Sequence, residues 1–493
     1  MSVSVSSIGL KGLEGYVIQV EVHLLPGMES MHIVGLPDAS VKESRERVMA
    51  ALHSLGISLP EKKIIVNLSP SEQKKNGPFF DLAMAVGILK SIGKIEASIP
   101  RHAAFLGALS LDGSVRSVTG ILPAVLAAKK ENIQTVYLAY DPTLPLSLID
   151  GIELRFVEHL SEVLDSLAGH GTLMAPTRVA EKATEMVYEQ DFSYITGHKG
   201  AKRALEIAAA GGHNVLMSGP PGCGKSLLAD TFPTIFPPLS KEAQLEVISL
   251  YQLAGSSYVS SSIPPYRHPH HSSSAVAIIG GGTNPKPGEI SLAHRGILFL
   301  DELAEFSRKT LDMLRQPLET GKVTISRVHS TVTYPADFLF IGAMNPCPCG
   351  YLGSKTHYCT CTPKQVKAYQ TRVSGPIKDR MDILLALQPV DLHRREEEET
   401  SAVIRDRVIM ARQSQYERYD KEMTNANVTM ELLNKVSPLT TRQQLLLQEG
   451  ISTHHWSNRV QIKIIRLART IADLEGEMSI TDEALVEAMT YRR

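Results

Sequence analysis

The first 165 residues alternate between two patterns of apolar positions. Apolar and polar residues alternate at Tyr16–Val22 and Lys63–Leu68, which predicts strands because successive side chains of a strand face opposite sides. Apolar residues recur at helical spacing in Asp38–Leu55 and Phe80–Leu89, which predicts helices. We therefore expect an α+β domain over residues 1–165.

A polar stretch without a clear period, residues 166–190, predicts a linker. Beyond it, residues 191–391 combine helical patterns, such as Lys199–Ala210, with short and wholly apolar runs. The runs that predict buried strands are Asn214–Ser218, Ile297–Leu300 and Phe338–Met344. Strands that alternate with helices predict a parallel sheet covered on both faces, an α/β domain. Residues 392–493 show only helical patterns and predict a C-terminal helical lid, in which the charged run Arg394–Glu398 is interpreted as a solvated helix face.

The length, net charge and apolar content of the chain limit the number of domains and the partners that the protein can have. The chain has 493 residues, and at ~150 residues per domain about three units are expected. The net charge of −1 excludes a protein coated in positive charge, so any contact with nucleic acid must come from local loops. The N-terminus has no signal-peptide pattern, and no run of about 18 apolar residues occurs. We expect a cytoplasmic protein with no membrane partner.

The strongest motif follows the run Asn214–Ser218. Residues 219–226, GPPGCGKS, match the phosphate-loop pattern G-x-x-x-x-G-K-[ST] between a predicted strand and a predicted helix. Lys225 would reach the β- and γ-phosphates of ATP, and the hydroxyl of Ser226 would ligate Mg²⁺. The alternative is a glycine- and proline-rich turn with a chance lysine. The predicted nucleotide-binding residues are Gly219, Pro220, Pro221, Gly222, Cys223, Gly224, Lys225, Ser226 and Leu227.

Two further strand ends carry polar side chains. The segment GILFLDE ends in Asp301 and Glu302. Asp301 would hold the metal ion with its water shell, and Glu302 would orient or deprotonate the attacking water. The alternative for this pair is a helix cap. Asn345 ends the run FLFIGAMN and could hydrogen-bond the γ-phosphate or the water, although asparagine before proline also favours a turn. Together these residues predict ATP hydrolysis.

Four cysteines form a second candidate site. Cys347, Cys349, Cys359 and Cys361 give the spacing C-x-C-x₉-C-x-C in a predicted hairpin, residues 347–361. Four thiolates can close a tetrahedral site for structural Zn²⁺; free thiols and redox use are the alternatives. Three histidines, His268, His270 and His271, give a weaker metal signal, because Pro269 interrupts them and no carboxylate lies close in sequence.

Three segments carry a family resemblance: KPGEISLAHRGILFLDE (286–302), GAMNPCPCG (342–350) and SGPIKDRMD (374–382). They resemble the magnesium-chelatase and MCM-helicase branch of the AAA+ superfamily, and within it the bacterial competence protein M (YifB) family. The resemblance covers essentially the whole chain. It implies a homo-oligomeric ring, expected to be a hexamer.

The resemblance also implies roles for single residues. Asn345 matches the sensor-1 position, Arg380 the arginine finger that reaches a neighbouring subunit's γ-phosphate, and Arg459 the sensor-2 position. For Arg380 the alternative is an ion pair with Asp379 or Asp382, and for Arg459 an exposed helix charge.

The adenine pocket is matched by a short segment near the start of the predicted α/β domain. Ile195 and Gly197 occupy the positions that line this pocket in the family, although His198 stands where the family usually has glutamine. The departure concerns contacts with the base and leaves the phosphate chemistry unaffected.

The N-terminal domain resembles the proteolytic domain of Lon proteases, with two departures. Phe79 follows Gly77-Pro78 where Lon has its nucleophilic serine, and Leu122 stands at the position of the Lon lysine. Neither side chain can act as nucleophile or base. We therefore expect a non-catalytic module that serves substrate engagement or ring assembly.

Two insertions could contact a polymer that the motor acts on. They are Ala275–Ser291, which resembles the family's helix-2 insert, and a predicted β-hairpin at Val323–Thr333. Their candidate cations are Lys286, Lys322 and Arg327, for which a solvated loop charge is the alternative. The hypotheses are a DNA helicase acting in branch migration, as the family implies, a metal-chelatase-type ATPase that remodels partner subunits, and a nucleotide-switched scaffold.

Overall fold

The protein is described from a computed structural model. The structure describes residues 3–59, 61–169, 188–256, 262–282, 285–327, 330–354, 357–390 and 398–492. The chain divides into two compact units, one of residues 1–184 and 244–261 and the other of residues 185–243 and 262–493. Most of the predicted linker, residues 170–187, lies outside the described residues. The domain boundaries drawn from the sequence stay predictions.

The first unit is built on a mixed sheet of seven strands in the order β3-β4-β2-β1-β5-β8-β9. The pairs β1–β2 and β2–β4 are antiparallel, whereas β1–β5, β3–β4, β5–β8 and β8–β9 are parallel. A small antiparallel pair, β6–β7, stands apart from this sheet. The strands are β1 (Val3–Lys11), β2 (Glu14–Pro26), β3 (Ser30–Val34), β4 (Lys62–Ser69), β5 (Ala103–Leu106), β6 (Ala108–Leu109), β7 (Val115–Arg116), β8 (Thr135–Leu138) and β9 (Glu153–Phe156).

Four helices accompany this sheet: α1 (Ala39–Ser54), α2 (Asp81–Ser91), α3 (Ile121–Lys130) and α4 (Leu160–Leu167). Helix α1 begins where the carboxylate of Asp38 accepts the N–H of Val41, a helix cap. Helix α2 is buried along residues 81–89 and packs on β1 and β2. A Cβ at Gly87 would lie 2.7 Å from Val22 Cγ2, so glycine permits this close packing. The predicted strands and helices of this segment are confirmed.

The second unit begins with α5 (Lys199–Gly211) and contains a parallel sheet of five strands in the order β11-β14-β17-β10-β18. Every residue of β14 and β17 is buried, as expected for central strands covered on both faces. The strands of this sheet are β10 (Val215–Ser218), β11 (Tyr266–Arg267), β14 (Ile297–Leu300), β17 (Leu339–Met344) and β18 (Ile383–Ala386).

Short elements fill the connections of this sheet. The antiparallel pairs are β12 (Gly280–Gly281) with β13 (Lys286–Pro287), and β15 (Lys322–Arg327) with β16 (Ser330–Pro335). The second pair confirms the hairpin predicted at Val323–Thr333. The helices are α6 (Lys225–Thr231), α7 (Lys241–Ala254), α8 (Ala275–Ile279), α9 (Glu289–Leu292), α10 (Arg308–Met313), α11 (Pro317–Thr320), α12 (Pro363–Gln370) and α13 (Gly375–Lys378).

The second unit ends in helices. They are α14 (Ser401–Tyr419), α15 (Met430–Val436), α16 (Thr441–His454), α17 (Asn458–Leu474) and α18 (Asp482–Thr490). Helices α14 and α17 pack on α5. The buried carboxylate of Asp473 joins them, since it accepts Arg469 Nη2 at 2.8 Å and Arg418 Nη1 at 3.1 Å. The predicted fold class, an α/β domain with a C-terminal helical lid after an α+β domain, is confirmed.

No helix in the described ranges combines the length and the apolar character needed to cross a bilayer.

Candidate nucleotide site

Three neighbouring strands of the parallel sheet end at the same edge, and β14 ends two residues before the level at which β10 and β17 end. Ser218, the last residue of β10, pairs with Met344 of β17, and Leu300, the last residue of β14, pairs with Gly342 of the same strand. The residues that follow these strands therefore meet at the carboxyl edge of the sheet, where ligands of open α/β sheets bind.

The phosphate loop makes a turn that requires glycine. Gly222 and Gly224 have φ angles of 75° and 81°, a region that side chains other than glycine rarely adopt. A Cβ at Gly219 would lie 2.7 Å from both Cys223 Sγ and Leu387 O. The loop therefore reaches α6, which begins at Lys225, with its N–H groups free of intrahelical partners. Pro221 and Leu227 are exposed on this turn.

Lys225 lies between the loop and the end of β17. Its side chain is largely buried, and its Nζ donates to Gly219 O at 2.7 Å and Pro220 O at 2.9 Å. The same Nζ lies 3.2 Å from Asn345 Oδ1. The structure thus brings together the lysine and the asparagine predicted to act on one phosphate group.

Ser226 and Asp301 also meet at this edge. The Ser226 hydroxyl donates to Asp301 Oδ2 at 2.7 Å, and Asp301 Oδ1 accepts the N–H of Glu302 at 2.7 Å. A hydroxyl and a carboxylate, completed by water and phosphate oxygens, form the oxygen shell that Mg²⁺ prefers. The side chains present fit the predicted ion.

Glu302 stands in a strained backbone position beside His271. Its φ and ψ are 48° and 45°, a left-handed conformation that residues other than glycine seldom adopt. Its carboxylate lies 3.2 Å from His271 Nδ1 and is 55% exposed. His271 was considered in the sequence only as a weak metal candidate. Its position beside Glu302 depends on tertiary structure, and the local sequence RHPHH, residues 267–271, does not indicate this contact.

The segment predicted to line the adenine pocket is held by Glu398, which lies about 200 residues later in the chain. The N–H of Gly197 donates to Glu398 Oε1 at 2.7 Å, and Lys202 Nζ donates to Glu398 Oε2 at 2.6 Å. Ile195 is buried, and His198 hydrogen-bonds the backbone of Cys223 in the phosphate loop. Burial, followed by the charge of Lys202, lowers the pKa of His198.

The interpretation of Arg394–Glu398 as a solvated helix face was wrong for its last residue. The Glu398 side chain is only 9% exposed, because its ion pair with Lys202 and its hydrogen bond to Gly197 hold it inside the protein. Glu398 also lies before the start of α14 and not on a helix. The other four residues of that run lie outside the described ranges.

Arg380 and Arg459 do not join Lys225 within one copy of the chain. Both line a cavity of about 690 Å³ at the opposite edge of the sheet, beside residues that precede the strands, such as Asn214 and Gly296. The charged residues that line this cavity are six cations, Arg295, Arg380, Arg412, Arg459, Lys463 and Arg466, and five carboxylates, Glu319, Asp337, Asp379, Asp382 and Glu422.

The ion-pair alternative for Arg380 named the wrong partners. Its Nη2 pairs with Glu319 Oε2 at 2.5 Å, and its Nε donates to Arg315 O at 3.0 Å. Asp382 instead pairs with Lys463 at 2.8 Å. The partner of Arg380 could not be predicted from its sequence neighbours, because Glu319 lies on α11, an element distant in sequence that the fold brings to Arg380. Arg459 is exposed near the start of α17.

The four cysteines form one cluster. Their ligand atoms all lie within 4.8 Å of one another, and the Sγ–Sγ distances are 3.4 Å for Cys347–Cys349, 3.7 Å for Cys347–Cys359 and 3.6 Å for Cys349–Cys359. Tetrahedral zinc with bonds of ~2.3 Å sets its sulfurs ~3.8 Å apart. A backbone hydrogen bond from Tyr351 is the main cause that lowers the pKa of Cys349 to about 6. Desolvation, together with the hydrogen bonds and charges of the neighbouring thiols, raises the pKa values of Cys359, to about 12, and of Cys361. The geometry of the four sulfurs fits a zinc ion.

The base of the cysteine hairpin touches the phosphate loop. Gly350 has a φ of 83°, and a Cβ placed there would lie 2.7 Å from Pro221 Cδ. The hairpin also follows Asn345 directly in the chain. The hairpin and the phosphate loop lie more than a hundred residues apart in the sequence, and nothing in the spacing of their residues indicates this contact.

The positions of the Lon catalytic residues are apolar and buried in the first unit. Phe79 is 6% exposed and Leu122 is fully buried. The N–H of Leu122 donates to Gln252 Oε1 at 3.1 Å, a residue that the sequence gave no reason to place in this unit.

The two lysines proposed for polymer contacts, Lys286 and Lys322, are exposed. The side chain of Arg327 lies outside the described part of the structure.

Comparisons with known proteins cover both units. A family model described as magnesium chelatase, subunit ChlI, matches residues 191–395, one described as subunit ChlI of Mg-chelatase matches residues 20–141, and one described as its C-terminal part matches residues 398–492. Lon protease 2 of Bacillus subtilis is 29% identical over 170 residues, 31% of this chain and 30% of that protein, which supports the partial resemblance to Lon.

Several relatives match along nearly the whole chain, among them a competence protein and a YifB protein. Competence protein ComM of Haemophilus influenzae is 38% identical over 490 residues, 98% of this chain and 95% of that protein. The protein YifB of Escherichia coli is 37% identical over 487 residues, again 98% and 95%. The chain therefore belongs to the magnesium-chelatase-like family of AAA+ ATPases, together with ComM and YifB.

Proposed function

We propose that the protein is an ATP-hydrolysing motor that acts on DNA as a helicase, in branch migration during homologous recombination or natural transformation. The observation that carries the ATPase part is the meeting of Lys225, Asp301, Glu302 and Asn345 at one sheet edge. Lys225 supplies a cation for the phosphates, and Ser226 and Asp301 supply oxygen ligands for a metal ion. Glu302 supplies a carboxylate for the attacking water, and Asn345 supplies an amide that can position this water or the γ-phosphate.

In hydrolysis each side chain has one task. The N–H groups of residues 222–227 and the ammonium of Lys225 hold the phosphates of ATP. Ser226 and Asp301 would hold Mg²⁺, which would supply positive charge beside the phosphate oxygens. Glu302 accepts the proton of the attacking water, and Asn345 orients that water or the γ-phosphate. Ile195 and Gly197 border the base.

Completion of the site requires a second copy of the chain. Arg380 and Arg459 lie at the edge of the sheet opposite to Lys225, so a head-to-tail contact would bring them to the phosphates of a neighbour. Contacts of this kind close into rings, and the family supports a hexamer. A guanidinium at the γ-phosphate is worth ~10³–10⁵ in rate.

DNA as the substrate is supported by the relationship to a competence protein and by exposed lysines on two loops of the second unit. Lys286 and Lys322 could grip a phosphate backbone, which needs only a few cations. A metal-chelatase-type ATPase that remodels partner subunits is the second candidate, favoured by the three matching family models. The cysteine hairpin and the near full-length match to a competence protein favour DNA, whereas the Lon-like unit, proposed to be non-catalytic, does not separate the two candidates because one of these models matches residues 20–141.

A scaffold controlled only by nucleotide binding is a third candidate. Such a switch would require neither a carboxylate for water nor a guanidinium for the γ-phosphate. The presence of both Glu302 and Arg380 therefore speaks against it.

The ATPase assignment predicts that one variant loses both ATP binding and ATP turnover, whereas a second variant loses turnover alone. Lys225→Ala should lose both ATP binding and turnover, because the phosphate charge loses its main partner. Glu302→Gln should bind ATP as the wild type does but turn it over ~10²–10⁴-fold more slowly, since it lacks the proton acceptor. Equilibrium binding of labelled ATP and phosphate release measure the two quantities. Glu431→Gln, an exposed carboxylate on α15, serves as control, and wild-type turnover in Lys225→Ala would refute the site.

The arginine finger predicts that two inactive variants rescue each other. Arg380→Ala should bind ATP and lose turnover by ~10³-fold or more. Mixed with Lys225→Ala, it should recover part of the turnover, because some interfaces then combine an intact Arg380 with an intact Lys225. Arg442→Ala, an arginine 80% exposed on α16, should leave turnover unchanged. If mixing restores no turnover, Arg380 does not act on a neighbour.

Zinc binding predicts about one zinc ion per chain in reduced protein, measured by elemental analysis. Cys359→Ser removes one of four thiolates and should reduce the zinc content severalfold. Cys223→Ser changes the fifth cysteine, which lies in the phosphate loop, and should retain zinc. Metal-free wild type would refute the assignment.

The DNA assignment predicts that single-stranded or branched DNA raises the ATPase rate at low salt and that the protein moves a four-way junction with ATP. Glu302→Gln should bind the junction without moving it. Unchanged ATP turnover over a range of DNA substrates at low salt would instead favour a chelatase-type motor that acts on partner subunits.

A further inference from the structure

The segment that contains the cysteine hairpin has an unusual charge. Residues 346–374 hold four lysines and arginines and no acidic residue, although Arg372 pairs with Glu305 at 3.0 Å. The whole chain, by contrast, has 51 basic and 52 acidic residues. A local excess of cations on a neutral protein is the electrostatic pattern of a surface for a polyanion.

Aromatic side chains stand on the same segment. Tyr358 is 89% exposed although aromatic residues make up only 5% of the chain. Beside it in sequence, the rings of His357 and Tyr351 stack at 4.7 Å. Exposed aromatic faces next to cations are the elements on which single-stranded nucleic acids stack their bases.

Two lysines lie on one face of the helix that follows. Lys364 and Lys367, three residues apart on α12, are both exposed, and neighbours at this spacing share a helix face. Neither forms an ion pair with another residue of the described ranges. Lys364 lies in the first turn of α12, which contains no acidic residue, and a cation near a helix N-terminus is unfavourable by ~0.3–1 kcal/mol. Their charges are therefore available to an external anion.

The surface is held rigidly beside the ATP site. Helix α12 begins at Thr362, directly after Cys361, with reciprocal hydrogen bonds between Thr362 and Gln365. Gln370 Nε2 donates to Pro346 O at 3.1 Å and so ties the end of the helix to the start of the hairpin. Gly350 connects this arrangement to Pro221 of the phosphate loop.

We propose that the cysteine hairpin and α12 form a binding surface for single-stranded DNA. Tyr358 stacks on a base, and Lys364 and Lys367 contact backbone phosphates. This inference rests on the proposed action on DNA and adds a contact outside the two loops that carry Lys286 and Lys322. Because Gly350 packs on Pro221, DNA bound here lies one contact away from the loop that holds ATP.

The test is the binding of a fluorescently labelled oligonucleotide of thirty thymidines to the full-length, zinc-containing protein, followed by anisotropy over a range of salt concentrations. Tyr358→Ala should raise the Kd by ~5-fold or more, because one stacked base is lost. Tyr358→Phe keeps the ring and should bind like the wild type. For Lys364→Gln with Lys367→Gln, the slope of log affinity against log salt should fall by ~1.4, which is ~0.7 for each lost contact to single-stranded DNA.

A matched control removes the same charge elsewhere. Lys421→Gln with Lys435→Gln neutralises two exposed lysines of the helical lid and should keep the wild-type affinity and slope. Zinc content and thermal unfolding show that each variant is folded. If the hairpin variants bind like the wild type, or the control loses as much affinity, the hairpin surface is refuted while DNA binding stands. If wild-type protein fails to bind the oligonucleotide at low salt, the inference and the proposed action on DNA both fail.

Discussion

The parallel register of three strands is the constraint on which the candidate site depends. Strand β17 lies between β10 and β14 and is paired in parallel with both, so that the three strands leave the sheet at the same edge. Lys225, Asn345 and Asp301 come from distant parts of the sequence, and they meet only because backbone hydrogen bonds fix this register. A slip in register would send the side chains of these buried strands to the opposite face and disrupt their packing, and it would also separate the three polar residues.

The same sheet keeps two groups of charges apart. The carboxyl edge carries the lysine, the hydroxyl and the carboxylates, whereas the amino edge carries a cavity lined by arginines. In our proposal, one copy therefore holds the phosphates and its neighbour supplies the guanidinium. This arrangement makes turnover depend on assembly, and it explains why the residue matched to the arginine finger lies far from the phosphate loop of its own chain.

Sequence patterns predicted local structure well, because the strands and the phosphate loop follow from neighbouring residues. The strand Ile297–Leu300 has the predicted bounds, and α5 ends one residue beyond its prediction. Contacts between distant segments could not be predicted. His271 beside Glu302, Glu398 at Gly197 and Glu319 at Arg380 each join residues that share no local pattern. Glu398 was misread because a run of charges usually faces solvent, and only its partner Lys202 shows that this one does not.

The N-terminal unit includes a segment from much later in the chain. Residues 244–261 belong to the first unit, where Ile248 joins the apolar core and Gln252 accepts the N–H of Leu122. A fragment that stops before residue 244 lacks both groups. Its Leu122 N–H loses its protein partner, a deficit of about 1–3 kcal/mol if it stays buried, and apolar core atoms become open to water. The N-terminal unit thus cannot be separated from the rest of the protein by a single cut without loss of residues 244–261.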